Sequence, residues 1–233
     1  MSLSSPVLTA AELGDELGSR PVPEREVRYR GLVWDVQRDH VDLGPAGTVK
    51  REYLGHPGAV VVLALRPGPV AAGDAGGPGA GSEQLFLVKQ YRHPVATTEW
   101  ELPAGLLDIP GEPPWEAAAR ELAEEADLEA ARWDVLLDFY PSPGAMSEAI
   151  RIFLARELTD VPHAERHDRT GEELGMPGGW IDLDAAHTAV LTGRLNNASA
   201  IMGILAARAS RERDWATLRA PDAPWPQHPA YRQ

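Results

Sequence analysis

The chain has 233 residues, 43% of them hydrophobic, and a formal net charge of −13, so it can bury a good-sized core but is too acidic for broad nucleic-acid binding. It contains no cysteine, which excludes disulfides, thiolate metal ligands and cysteine nucleophiles, and fits a reducing cytoplasm. No apolar run reaches the ~18 residues of a membrane span, and the first residues lack the basic start and apolar block of a secretory signal, so no membrane partner is expected.

Residues 1–25 read as a loosely held lead-in. From Glu26 to Leu54 apolar and polar residues alternate, as in Val27-Arg28-Tyr29-Arg30, with a turn at Gly44-Pro45-Ala46-Gly47. This predicts a small antiparallel sheet and an N-terminal region over 1–55. Val60 to Leu65 is an apolar run of strand length, expected to be central and buried. Residues 66–83 are Gly/Ala/Pro-rich and predict an extended hairpin loop, with Gln84 to Gln90 as the return strand and Trp100-Glu101-Leu102 as a short one.

Pro113 and Pro114 suit the first turn of a helix. Trp115, Ala118, Ala119, Leu122 and Ala126 then recur as an apolar stripe, and Asp127 stands where a left-handed cap would end the helix. Val135 to Tyr140 and Ile150 to Leu158 predict strands around the turn Pro141-Ser142-Pro143-Gly144. Residues 159–178 predict a polar loop, and Trp180-Ile181 a short strand. Asp184 to Leu191 predicts a helix broken at Gly193, and Asn196 or Asn197 caps another running to about Arg213. The order of elements predicts an α+β or mixed α/β/α layered domain over 56–213 and an irregular proline-rich tail over 214–233.

Off the apolar stripe, the same helix carries Glu121, Glu124 and Glu125 at i, i+3 and i+4, so three like charges share one face. A divalent cation is the simplest compensation, and hard oxygen ligands point to Mg²⁺ or Mn²⁺.

The order Gly105, Glu112, then Arg120-Glu121-Leu122-Ala123-Glu124-Glu125 and Leu128 resembles the box of the Nudix hydrolase family, G-x5-E-x7-R-E-U-x-E-E-x-G-U with U apolar. Two departures stand out: six residues separate Gly105 from Glu112, and Asp127 replaces a glycine. The resemblance implies an α/β/α sandwich with a mixed sheet, and hydrolysis of a nucleoside diphosphate linked to another moiety by metal-activated water. It implies Glu121 and Glu125 as main Mg²⁺ ligands, Glu124 in support, the Ala104 carbonyl as a further ligand, and Arg120 holding Glu112.

Outside the box, Gln90-Tyr91-Arg92-His93, Trp100 to Asp108, Pro143 and Asn196-Asn197-Ala198 resemble the ADP-ribose pyrophosphatase branch, actinobacterial members above all. That resemblance covers residues 26–210 and implies ADP-ribose as substrate, cleaved to AMP and ribose 5-phosphate. Another nucleoside diphosphate sugar is the alternative, and a catalytically silent ligand sensor of the same fold is a third reading. A catalytic base on a loop outside the box is implied at Glu173, with Glu172 as the other choice. Substrate contacts are implied for Arg92, Glu101, Arg51 and Glu148, and Pro143 marks the substrate branch. Trp34 either stacks on adenine or belongs to the core. Members form homodimers in which the N-terminal sheet of one subunit completes the other's site.

Overall fold

The computed structural model describes residues 3, 5–69, 82–169 and 174–232. The chain divides into two compact units, one extending to Leu54 and the other spanning Gly55–Arg232. The first carries β1 (Glu24–Arg30), β2 (Asp35–Asp42) and β3 (Thr48–Gly55), ordered β1-β2-β3, with β1 and β2 antiparallel. The central position of β2 buries Asp39, which accepts two bonds of 2.7 Å from Arg25 and one of 3.1 Å from the Tyr53 hydroxyl. A buried carboxylate is tolerated because its oxygens are bonded.

The second unit is built around β4 (Ala59–Pro67), which both faces of the fold use. Val60, Val62 and Ala64 pack with Ala117, Ala118 and Leu122 of α1 (Pro114–Ala126). Val61, Leu63 and Leu65 pack with Leu183 and Ala186 of α2 (Leu183–Leu191) and with Ala200, Ile204 and Ala207 of α3 (Ala198–Arg211). A strand covered on both faces needs apolar residues at every position, which is why the sequence shows a run and not an alternation.

Around β4 lie β5 (Glu83–Arg92), β6 (Thr97–Glu101), β7 (Ala104–Leu106), β8 (Leu128–Phe139), β9 (Ile150–Asp160) and β10 (Gly178–Asp182). The main path is β10-β5-β4-β9-β8, with β6 on β5 and β7 on β4. The β4–β9 pair is parallel and the other pairs are antiparallel, so the sheet is mixed. Helix α1 on one face and α2 with α3 on the other complete an α/β/α sandwich. No helix among the described residues is long and apolar enough to cross a membrane.

Several boundaries differ from the sequence reading. The hairpin strands run further into 66–83 than expected, with Pro67 opposite Glu83 and the Gly68 N–H on the Ser82 carbonyl at 2.5 Å. Residues 70–81 of that expected loop lie outside the described residues. Strand β8 starts at Leu128, seven residues before the predicted Val135, because its edge position leaves Glu129, Ala131 and Arg132 exposed and hides the strand's apolar alternation. Trp115 is exposed, and the buried side of α1 is Ala117, Ala118, Glu121 and Leu122. Asn197, not Asn196, caps α3, accepting from the Ala200 N–H at 3.0 Å.

The tail is irregular, as its prolines dictate, yet Trp225 is 4% exposed. Arg151 on β9 donates to the carbonyls of Ala223 (2.7 Å) and Pro224 (3.1 Å) and lies over the Trp225 ring. Arg151 is itself paired twice with Asp138, at 2.7 and 3.0 Å, so the buried guanidinium charge is compensated.

Candidate active site

Strand β7 sets the floor of the site. It pairs with β4 through Val60–Gly105 and Val61–Ala104, and α1 packs across both. Gly105 has no side chain where the Glu121 carboxylate lies; a Cβ there would overlap it. Glu121 is therefore buried, not solvated as its place off the apolar stripe suggested. One turn on, the Glu125 carboxylate accepts from the Ala104 N–H at 3.0 Å. Two box acids are thus docked on the strand that carries the box glycine.

Arg120 gathers the other acids. Its Nε and Nη2 donate to the two oxygens of Glu112 at 3.0 and 3.1 Å, and Nη1 donates to Glu121 at 2.6 Å and to Glu124 at 3.2 Å. The bidentate bond to Glu112 raises the guanidinium pKa above its ordinary value, with burial acting the other way. The structure therefore brings together Glu112, Arg120, Glu121, Glu124, Glu125 and Ala104 on one loop, strand and helix. Carboxylates outnumber the guanidinium here, and all the candidate ligands are hard oxygens, a donor set that fits Mg²⁺ or Mn²⁺. A separate triad, Glu24, Glu26 and His40, has ligand atoms within 4.8 Å of one another in the N-terminal sheet, where His40 Nδ1 lies 2.8 Å from Glu24. Glu24 is exposed there, and Glu26 and His40 are half-buried.

Beyond the box, Arg92 at the end of β5 donates Nε and Nη2 to the two oxygens of Glu101 on β6, at 2.8 and 2.7 Å. Glu101 is 3% exposed and both its oxygens serve Arg92, an arrangement suited to bracing that arginine. The Arg92 side chain stays 43% exposed. Its charge also reaches Glu148, whose carboxyl is pushed up by burial and drawn back by Arg92. Pro143 is exposed in the turn that leads to Ser147 and Glu148.

Two residues that the sequence reading did not single out stand beside these. His56 Nε2 lies 3.2 Å from Glu148 Oε1. Arg169 donates to the Glu124 carbonyl at 2.9 Å and pairs with Asp127 at 3.0 Å, closing the end of α1. A lone histidine before Pro57-Gly58 and an arginine in a polar loop carry no local signal. Asp127 is left-handed, φ 54° and ψ 36°, as its position after the helix predicted.

The remaining candidates are not among the described residues of the second unit. Arg51, exposed on β3, donates to the Lys50 carbonyl at 3.0 Å, and Trp34 is half-buried at the β1–β2 turn, where its carbonyl accepts from Gly31. Both belong to the N-terminal unit. Glu172 and Glu173 lie outside the described residues.

Comparison with known proteins points to one family. The family model for the NUDIX domain matches residues 78–201. An ADP-ribose pyrophosphatase of Mycobacterium tuberculosis is 38% identical over 204 residues, covering 88% of this chain and 90% of that protein. An ADP-ribose pyrophosphatase of Bacillus subtilis is 38% identical over 135 residues, covering 58% of this chain and 65% of that protein. The crystal structure of an ADP compounds hydrolase shares the fold with a TM-score of 0.64, over 86% of this chain and 98% of that one, at 19% identity. With a NUDIX family model over residues 78–201 and a relative 38% identical over 88% of this chain, and with its box acids folded around Arg120, the chain belongs to the Nudix family of hydrolases.

Proposed function

We propose that this enzyme hydrolyses the diphosphate of ADP-ribose, in the cytoplasm and with Mg²⁺ or Mn²⁺, to AMP and ribose 5-phosphate. The observation that carries the chemistry is the docking of Glu121 on Gly105 and of Glu125 on the Ala104 N–H, with Arg120 spanning Glu112, Glu121 and Glu124. The substrate is supported by the relative of Mycobacterium tuberculosis, a named ADP-ribose pyrophosphatase aligned with 88% of this chain.

In this reading Glu121, Glu125, Glu124 and the Ala104 carbonyl hold the metal. When bound, the cation neutralises the diphosphate and lowers the pKa of attacking water. Arg120 keeps Glu112 and the acidic face of α1 in register. Arg92, braced by Glu101, binds the diphosphate or the terminal ribose, and Glu148 binds ribose hydroxyls. Glu173, or Glu172 in its place, takes a proton from the attacking water as the new P–O bond forms and the bridging P–O bond breaks. The enzyme acts as a homodimer in which the N-terminal sheet of each subunit supplies Arg51 and Trp34 to the other's site.

A panel of ADP-ribose, GDP-mannose and UDP-glucose, assayed with Mg²⁺ and with chelator, tests the proposal. ADP-ribose is expected to turn over fastest, to give AMP and ribose 5-phosphate, and to stop with chelator. Faster turnover of GDP-mannose or UDP-glucose overturns the substrate assignment. Binding of ADP-ribose without turnover of any diphosphate makes the protein a sensor.

A further inference from the structure

The turn His56–Gly58 joins parts of the second unit that are far apart in sequence. The Ala59 N–H meets the Ala149 carbonyl at 3.1 Å, and the Gly58 carbonyl accepts from Leu107, two residues after the box glycine, at 3.1 Å. The His56 N–H donates to Ser147 Oγ at 2.9 Å. From the tail, His228 Nε2 lies 2.8 Å from the Pro57 carbonyl, in space left by the missing side chain of Gly58.

The imidazole of His56 has one tautomer consistent with these bonds. Nδ1 accepts from the Gly58 N–H at 3.0 Å, so a neutral ring carries its proton on Nε2, and that nitrogen lies 3.2 Å from Glu148 Oε1. Burial also pushes the imidazole pKa down, which favours the neutral ring. Glu148 therefore lies within reach of the His56 Nε2 and also feels the Arg92 charge.

We infer that His56 is a positioning residue: its Nε2–H holds the Glu148 carboxylate in the orientation that meets the substrate. The inference rests on the proposed hydrolysis of a nucleoside diphosphate sugar, in which Glu148 touches the ribose. His56 itself touches Glu148 and not the reacting atoms. It therefore acts on substrate binding more than on the chemical step.

Steady-state kinetics of wild type, His56→Ala, His56→Gln, Glu148→Gln and the His56→Ala/Glu148→Gln double variant test this, using the diphosphate sugar the panel selects. His56→Ala is expected to raise KM about tenfold with kcat within about twofold. His56→Gln, which keeps a donor of similar reach, returns KM to within about threefold of wild type. The double variant matches Glu148→Gln alone, because the two residues act as one. Additive effects, or a fall in kcat with KM unchanged, overturn the inference.

Long-range ¹H–¹⁵N spectra of the wild-type imidazoles give an answer independent of turnover and of whether His56→Ala folds. A neutral His56 protonated on Nε2, with that proton's signal moved by Glu148→Gln, supports it. An Nδ1–H tautomer, an imidazolium at pH 7, or no response to Glu148→Gln overturns it. If wild type turns over no diphosphate sugar, the functional proposal fails, while the spectra still decide the bond.

Discussion

Arg120 shows how one side chain organises an acidic face. Its planar fork meets Glu112 bidentately, and its remaining nitrogen reaches Glu121 and Glu124. Glu125 is held differently, by the Ala104 N–H. This difference makes Glu125→Gln an informative change. The amide oxygen of glutamine still accepts from Ala104, so the helix stays docked, but one candidate ligand charge is gone. Turnover is expected to fall by about 100-fold or more while the melting temperature moves by less than about 3 °C. Full activity in a steady-state assay with Mg²⁺ would remove Glu125 from the mechanism. The box spacing exposed this face in the sequence. The choice of Glu121, and not its neighbours, for burial against Gly105 did not show there, because it depends on how α1 sits on β7.

At the scale of the element, α1 begins and ends as its sequence prescribes. Pro114 starts it and Asp127 ends it in the left-handed region, its N–H on the Ala123 carbonyl at 3.2 Å. Most side chains pay about 1 kcal/mol or more for that backbone, and glycine pays none. Asp127 recovers part of the cost through Arg169, a half-exposed pair worth about 0.2–1 kcal/mol. The terms oppose each other, so Asp127→Gly is expected to change unfolding free energy by less than about 1 kcal/mol. Asp127→Ala loses the pair and keeps the backbone cost, and is expected to destabilise by about 0.2–1 kcal/mol relative to wild type. Denaturant titration of the two variants distinguishes them, and equal stability would show that the left-handed backbone carries no cost here.

For the second unit as a whole, the tail acts as a strap. His228 bonds the Pro57 carbonyl and accepts from the Ala230 N–H at 3.2 Å, and the Tyr140 hydroxyl donates to the Gln227 carbonyl at 2.8 Å. Burial pushes both His228 and His56 below the usual histidine value of 6.5. The unfolded chain therefore binds more protons below pH ~6.5, so the stability these rings contribute is complete above that pH and is lost as pH falls toward their lowered values. Glu83 and Glu148, pushed up by burial, act with the opposite sign above the carboxylate value of 4.5. The histidine part is isolated by comparing wild type with His228→Gln. The variant is expected to melt lower at pH 7 but to lose less between pH 7 and pH 5. Parallel melting curves against pH would show that His228 does not carry the acid sensitivity.

The sequence by itself determined what its near neighbours encode. The 3.6-residue spacing of Glu121, Glu124 and Glu125, the proline start and left-handed end of α1 and the apolar run of β4 all follow from residues a few positions apart. The tertiary structure alone decided the pairings over long separations. His56 meets Ser147 across 91 positions and His228 meets Pro57 across 171. The bracing of Arg92 by Glu101 required the register of β5 on β6, and β8 hid its start behind exposed polar residues. Local periodicity is written in adjacent residues, whereas register and the docking of a strap depend on which distant surfaces bury one another, and no short stretch of chain carries that.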